Sequence, residues 1–472
     1  MIDINLIREQ PDWVKAQIKK LNDETALSRV DVIFDIDQQR RALLVESETL
    51  QAARNKLNKN FGMLRGNRKI GDQDKLNIAA HAAAAVQNGD YETAAGLLTG
   101  DIPVSSNHAL SDAMDELMNA LKALGEKVEI LNERIGALDF DLQENMLWLP
   151  NLPHESVPVA DSEDANIAHS PQGERRTFDF EPKPHWDLGP ALGIIDFERG
   201  VKMSGTRAYV LKGMGARLQR ALISLFLDHA RENGFTELYV PYMIREEMMV
   251  GAGQFPKFRE NVYFDTEAEL YFLPTAEVAI TNLHRDEILD EAQLPLYYAA
   301  HTPCFRREKV SAGRDVRGIK RVHQFEKVEL YKFTAPETSY AELESLTESA
   351  ADLLRKLNLQ FRRLEIVTGD LGFSAAKKYD LEVWSPGCGE WLEVSSCSNT
   401  EAFQARRANI KYRPTEGKRA QFVHTLNGSG LATPRVVIAI LENYQQADGS
   451  VIIPDVLRPY MGGDTVIRPP TR

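Results

Sequence analysis

A chain of 472 residues, 43% of them hydrophobic, is too long for one compact core and rich enough to bury two or three. Its net charge of -13 argues against a general nucleic-acid coat protein and directs the search for phosphate-binding chemistry to local basic patches. Three cysteines, Cys304, Cys388 and Cys397, form no CxxC pair and point to a reducing cytoplasm, while the charged N-terminus and the short apolar run Val436 to Leu441 suit neither a secretory leader nor a bilayer span.

In chain order, Ile7, Val14, Ile18 and Leu21 form one stripe of a short helical cap. A long helix is expected from Asp31, with Ile36, Leu43, Leu50 and Leu57 seven apart. A second is expected from Ser111, carrying Met114, Leu117, Leu121, Leu124, Val128, Leu131, Ile135, Leu138 and Leu142 at alternating spacings of three and four. Two such stripes in one chain predict an antiparallel two-helix coiled coil over residues 1–145. Near the end of its first helix, Arg54, Lys56, Lys59, Arg65, Arg68 and Lys69 occur without an acidic residue from Gln51 to Ile70, a basic face suited to a nucleic-acid backbone or, more blandly, a solvated helix end. Between Gly71 and Asn107 the pattern is interrupted by an insertion, roughly 71–107, alanine-rich and acidic, expected to fold as one or two short helices. His81 within it reads as an ordinary exposed histidine.

The proline-rich stretch Asn151 to Pro158 opens a linker, 146–180. Residues 181–472 then read as an α+β domain. It includes a helix from Gly215 to Asn233 that is followed by a strand ending at Pro241. Thr275, Ala276 and Glu277 lie where an apolar strand gives way to a helix start, and by itself Glu277 reads as a helix-capping acid. The stretch Phe305 to Phe333 predicts a long hairpin. Its loop holds Arg306, Arg307, Lys309, Arg314, Arg317, Lys320 and Arg321 against Glu308 and Asp315. Guanidinium groups at a strand end suit a polyphosphate, although a basic loop of unspecified wording is more often a solvated turn. Glu329 shares strand parity with Phe325, Tyr331 and Phe333, so it points to an apolar face where an unpaired carboxylate is costly, which makes it a site candidate. Tyr379 to Asn399 predicts a second hairpin carrying Glu393 to Ser396, and Arg435 opens an apolar helix after the turn Asn427 to Gly430. Cys388 and Cys397 read as packing residues.

The wording FRxE, SAGRDxRG and RVHQFEKVE of the basic hairpin resembles motif 2 of the class II aminoacyl-tRNA synthetases, and of the seryl-tRNA synthetases in particular. The helix and strand before Pro241 resemble motif 1, Leu426 to Gln445 resembles motif 3, and the N-terminal coiled coil resembles that family's tRNA-binding arm. The resemblance implies a class II antiparallel sheet flanked by helices. It implies activation of L-serine by ATP with Mg2+ and transfer to tRNA(Ser), with tRNA(Sec) as a further acceptor. A cytoplasmic homodimer is also implied. It assigns L-serine to Thr275, Ala276, Glu277, Arg306, Glu329 and Ser429. ATP falls to Arg306, Arg307, Glu308, Val322, Glu393, Val394, Ser395, Ser396 and Arg435, with Arg306 and Arg435 catalytic and the metal on Glu393 and Ser396. The six cations from Arg54 to Lys69 become tRNA contacts. After the first arginine the family pattern reads Ser-Glu-Ala-Gly where this chain has Arg307, Glu308, Lys309 and Val310, and Thr433-Pro434 also departs from the usual wording. Two other readings stand beside it: a ligase charging a carrier protein, whose relatives lack the long arm, and an inactive tRNA-binding module, which would not need Arg306, Glu329, Glu393 and Arg435.

Overall fold

The computed structural model describes residues 1–104, 112–309, 317–415, 417 and 419–470. Ser111, the expected start of the second long helix, and Arg314 and Asp315 of the basic loop lie outside them. The chain divides into two compact units, residues 29–146 and residues 1–28 with 147–472.

The first unit is helical. Its long helices are α3 (Glu24–Gly66, which begins in the other unit) and α6 (Ala113–Leu147). Leu50, Leu57 and Leu64 bury against Leu117, Leu121, Leu124, Val128 and Leu131 in one apolar cluster, as the heptad spacing requires. Farther along α3 the seam departs from the expected register. Ile33 and Asp37 are buried while Ile36 is half-buried, and Ser47 donates to Asn132 at 2.7 Å. The expected insertion forms α4 (Asp72–Gln87) and α5 (Tyr91–Thr99), whose alanines Ala79, Ala82, Ala83, Ala94 and Ala95 extend the same cluster. Alanine-lined faces let two helix backbones approach closely. His81 is half-buried, with Nδ1 at 3.0 Å from the Asn77 carbonyl. Of the six basic candidates, Lys56, Lys59, Arg65, Arg68 and Lys69 are exposed. Lys56 pairs with Glu92 at 2.7 Å, and Arg54 turns inward over Gly125, where a Cβ would meet its guanidinium at 3.0 Å.

The N-terminal cap, α1 (Ile4–Glu9) and α2 (Pro11–Lys19), belongs to the second unit, whereas the coiled-coil domain had been expected to start at residue 1. Asp3 pairs with Arg406 at 3.0 Å and Asp23 with Lys257 at 3.0 Å, and Ile7, Val14 and Ile18 are buried.

The second unit is α+β. Its large sheet comprises β1 (Ile167–Ala168), β2 (Thr236–Leu238), β3 (Leu296–Phe305), β4 (Gln324–Thr334), β5 (Phe361–Glu365), β6 (Lys377–Ser385), β7 (Glu390–Glu401) and β8 (His424–Ala432). Their order is β1-β5-β6-β7-β8-β4-β3-β2, antiparallel throughout except that β2 runs parallel to β3. The expected hairpin is β3 with β4, in register from Phe305 opposite Gln324 to Leu296 opposite Phe333. β4 sorts its side chains by parity. Val328 and Leu330 join the core formed with helices α8 (Met214–Glu232), α10 (Ser339–Lys356) and α11 (Thr433–Asn443), while Tyr331 and Phe333 join a second core on the other face. Glu329 shares the parity of that second face. Among the described residues no helix is long and apolar enough to cross a membrane.

Candidate active site

A cavity of about 610 Å³ opens on the face of the sheet where Lys327 and Glu329 point. Thr275 and Glu277 enter it from the start of α9 (Glu277–Thr281), and Arg306, Glu308, Val322 and Lys327 from the β3–β4 hairpin. Glu393, Val394 and Ser396 of β7, Ser429 of β8 and Arg435 of α11 complete the wall. The elements that carry them are far apart in sequence, and the sheet and the two helix starts packed on it bring them together.

One end of the cavity is acidic and fully organised. Thr275 Oγ1 donates to Glu329 Oε2 at 2.7 Å and accepts from Lys327 Nζ at 2.9 Å, and the Lys327 ammonium also pairs directly with that carboxylate. Lys327, two residues earlier, lies on the same face as Glu329 and neutralises it, which lowers the cost of a carboxylate there. Only Oε1 of Glu329 is left buried without a partner. Glu277 is gripped by Gln404 Nε2 at 2.7 Å and by Asn427 Nδ2 at 3.3 Å. Gln404 in turn accepts from Tyr331 and Thr425, each at 2.8 Å. Burial, with the nearby Glu329 charge, pushes the Glu277 carboxyl up to about 7, against the pull of Lys327, Gln404 and Arg306.

That shift has a testable consequence for stability. A carboxyl whose folded value lies above its ordinary 4.5 binds its proton more tightly in the native state. The stability it contributes is complete below 4.5 and is lost as pH rises through about 7. Thermal melting of the apo protein between pH 5 and 8 should therefore show a falling Tm that Glu277→Gln flattens. Parallel curves for the two proteins would contradict it.

The other end is cationic. Arg306, Lys320, Arg321, Lys378 and Arg435 line it around Glu393. Arg435 donates to the Glu393 carbonyl at 2.7 Å and sits 3.5 Å from its carboxylate. Partial withdrawal from water acts to raise the Glu393 carboxyl, but Arg435, Lys378, Arg306 and Arg321 together draw it below its usual range. Arg306 is anchored by the Pro274 carbonyl at 3.1 Å and lies 5.1 Å from the Phe325 ring centre. A second cavity of about 460 Å³ shares Lys320, Arg321, Lys378, Glu393 and Arg435, and adds Asp370, Asp380, Glu382 and Glu390. Burial pushes the Asp380 carboxyl up to about 7 against the attraction of Lys378, and its Oδ1 is buried without a hydrogen-bond partner.

Four expected site residues do not reach the wall. Arg307 leans on Tyr263, with 5.3 Å from guanidinium to ring centre, and Ser395 donates into the sheet to the Ser429 carbonyl at 2.6 Å. Ala276 is buried under the turn, and Glu329 stands behind Thr275 and Lys327. Conversely, Lys327, Lys378, Gln404 and Asn427 are functional candidates that sequence reasoning missed. Lys327 and Lys378 could have been found, since each shares a strand face with an acid two residues on. Gln404 and Asn427 carry no local signal.

The tRNA synthetase class II core domain (G, H, P, S and T) matches residues 260–444, and the seryl-tRNA synthetase N-terminal domain matches residues 1–87. The serine–tRNA ligase of Roseiflexus sp. (strain RS-1) is 54% identical over 468 residues, 99% of this chain and 100% of that one. The serine–tRNA ligase of Thermomicrobium roseum is 51% identical over 464 residues, covering 98% of this chain and 94% of the relative. Among solved structures, seryl-tRNA synthetase from Pyrococcus horikoshii complexed with ATP matches the full length of both chains at TM-score 0.82 and 35% identity.

Proposed function

The chain belongs to the seryl-tRNA synthetase family and is an aminoacyl-tRNA ligase for serine; from that premise we propose that it works in two steps through a seryl-adenylate. The observation that carries the proposal is a single cavity with Thr275 and Glu277 at one end and Arg306, Arg321, Lys378 and Arg435 at the other. Glu277 faces the serine ammonium, and a bound cation there favours the ionised carboxylate. Glu329, whose Oε1 is buried without a partner behind Thr275 and Lys327, is assigned to the serine side chain in this reading. The serine carboxylate attacks the α-phosphate of ATP in line and pyrophosphate leaves. Arg306 and Arg435 stabilise the charge that grows on the phosphoryl oxygens. The ester then passes to the terminal ribose of tRNA(Ser), with tRNA(Sec) as a second acceptor.

Magnesium fits the same wall. Glu393 and Ser396 line the cavity, and Asp380, cross-strand from Ser396 and lining the second cavity that shares Glu393, adds an unpartnered Oδ1 suited to a hard cation. Glu393 and Ser396 would hold the ion, which when bound neutralises phosphate charge; the arginines orient the nucleotide.

Pyrophosphate exchange into ATP, run with each amino acid in turn, tests the proposal. Serine alone should support full exchange. Alanine and glycine should fall short by about 10⁴-fold, because they leave a buried polar group unpaired, and threonine by only about 10²-fold, because it is refused by crowding. Exchange with alanine equal to that with serine would remove the role given to Glu329.

A cytoplasmic homodimer is part of the same reading. Tyr239 is 88% exposed and Met203 71% exposed, large apolar groups of the kind that a partner subunit covers. Sedimentation of the purified chain as a monomer at micromolar concentration would count against it.

A further inference from the structure

We infer that His185 is a positioning residue for the nucleotide wall, fastening the returning end of the basic hairpin loop through a buried pair with Glu442. This rests on the reading of the cavity as an ATP site. His185 opens the helix α7 (His185–Ala191) and is wholly buried. Its Nε2 accepts the backbone N–H of Ile319 at 3.1 Å, so the ring proton resides on Nδ1, which donates to Glu442 Oε1 at 3.0 Å. Glu442, from α11, is wholly buried too. It also receives the backbone N–H of His185 and that of Cys388, both at 3.0 Å, the Cys388 thiol at 3.1 Å, and the Ser385 hydroxyl. The His185, Cys388 and Glu442 ligand atoms lie within 4.8 Å of one another, a spacing that could suit a metal. Both carboxylate oxygens and both ring nitrogens are nevertheless committed to hydrogen bonds, which makes the cluster a clamp.

What the clamp holds is specific. Residues Ile319, Lys320, Arg321 and Val322 all line the cavity, and the bond to His185 falls on the first of them. Next to it, Gly318 has φ +67, and a Cβ there would come within 2.0 Å of His185 Nε2. The following side chain, Trp186, lies under the Arg317 guanidinium at 4.4 Å and the Lys320 ammonium at 5.2 Å. Four segments remote in sequence thus meet at one imidazole, and its output is the placement of a cationic backbone stretch on the phosphate side of the cavity.

Two isosteric variants divide the imidazole's two bonds. His185→Asn keeps a donor near the Nδ1 position for Glu442 and drops the acceptor for Ile319, whereas His185→Gln keeps the acceptor. Gly318→Ala keeps the imidazole's chemistry and sets a new Cβ against its Nε2, so that the loop must move off the ring. Steady-state exchange kinetics should show the KM for ATP raised about tenfold in His185→Asn and in Gly318→Ala, the loss expected for one hydrogen bond. The KM for serine should stay within about twofold, and His185→Gln, which keeps the bond to the loop but not the one to Glu442, should be less impaired than His185→Asn. An unchanged ATP KM in His185→Asn and Gly318→Ala, a serine KM rising in step with it, or His185→Gln as impaired as His185→Asn overturns the inference. A wild-type chain without serine-dependent exchange would instead remove the nucleotide reading beneath it.

Discussion

Arg306→Ala should lower kcat/KM for serine-dependent exchange by about a thousandfold while leaving the melting temperature close to that of wild type. The size follows from what a preorganised donor is worth at a developing phosphoryl charge, on the order of 10² to 10³ in rate. Arg306 is set up for that role by two fixed contacts. One N–H is spent on the Pro274 carbonyl at 3.1 Å, directly before Thr275, and the guanidinium lies beside the Phe325 ring. The remaining donors face a cavity that also holds Glu277 and Glu393, so one planar group lies between the amino-acid end and the nucleotide end. Arg306→Lys should recover only part of the loss, since an ammonium cannot bind two phosphate oxygens in a fork. Single-turnover and steady-state exchange with both variants read the effect. Exchange within fivefold of wild type in Arg306→Ala would sink the assignment of the α-phosphate to this side chain.

How much of this site was legible in the sequence depends on the range of the contact. The β3–β4 hairpin could be read because alternation and two flanking apolar runs are local signals. Its meeting with Arg435 and Glu393 came only from the family resemblance, since no periodicity encodes which strands neighbour one another. Glu329 was placed on the correct face by parity, yet Lys327 between Phe325 and Glu329 was passed over, and with it the charge that keeps the acid tolerable. The run Glu393 to Ser396 was read as one unit. A bulge opposite Leu381 and Glu382 breaks the two-residue period, so Glu393 joins Val394, Ser396 and Ser398 on the cavity wall while Ser395 turns away. In the helical unit the leucines gave the fold, but Asp37 and Ser47 in the seam shifted the register away from Ile36, because buried polar residues leave no mark in a hydrophobic pattern. The stripe of Ile7, Val14 and Ile18 showed that the first helices pack on something. Asp3 with Arg406 and Asp23 with Lys257 fix what that is, and neither pair has a sequence signature.

Excising residues 29–146 should leave serine-dependent exchange within about twofold of wild type and reduce tRNA charging by three orders of magnitude or more. The first half follows from the division of the chain: both apolar cores that support the cavity draw their residues from outside 29–146. Arg29 contacts Asn145 at 2.8 Å, so the two cut ends are close and a short glycine linker bridges them. The second half rests on the proposal that Lys59, Arg65, Arg68 and Lys69, exposed on the removed unit, hold the tRNA backbone. A milder variant separates that role from gross truncation. Changing these four to glutamine should weaken tRNA binding at every salt concentration and reduce the slope of log K against log salt by about 3, as expected when that many phosphate contacts are lost. Arg54→Gln should change the slope little, because Arg54 turns inward. An excised chain that still charges tRNA, or a fourfold variant with an unaltered salt slope, would place the tRNA-reading surface elsewhere.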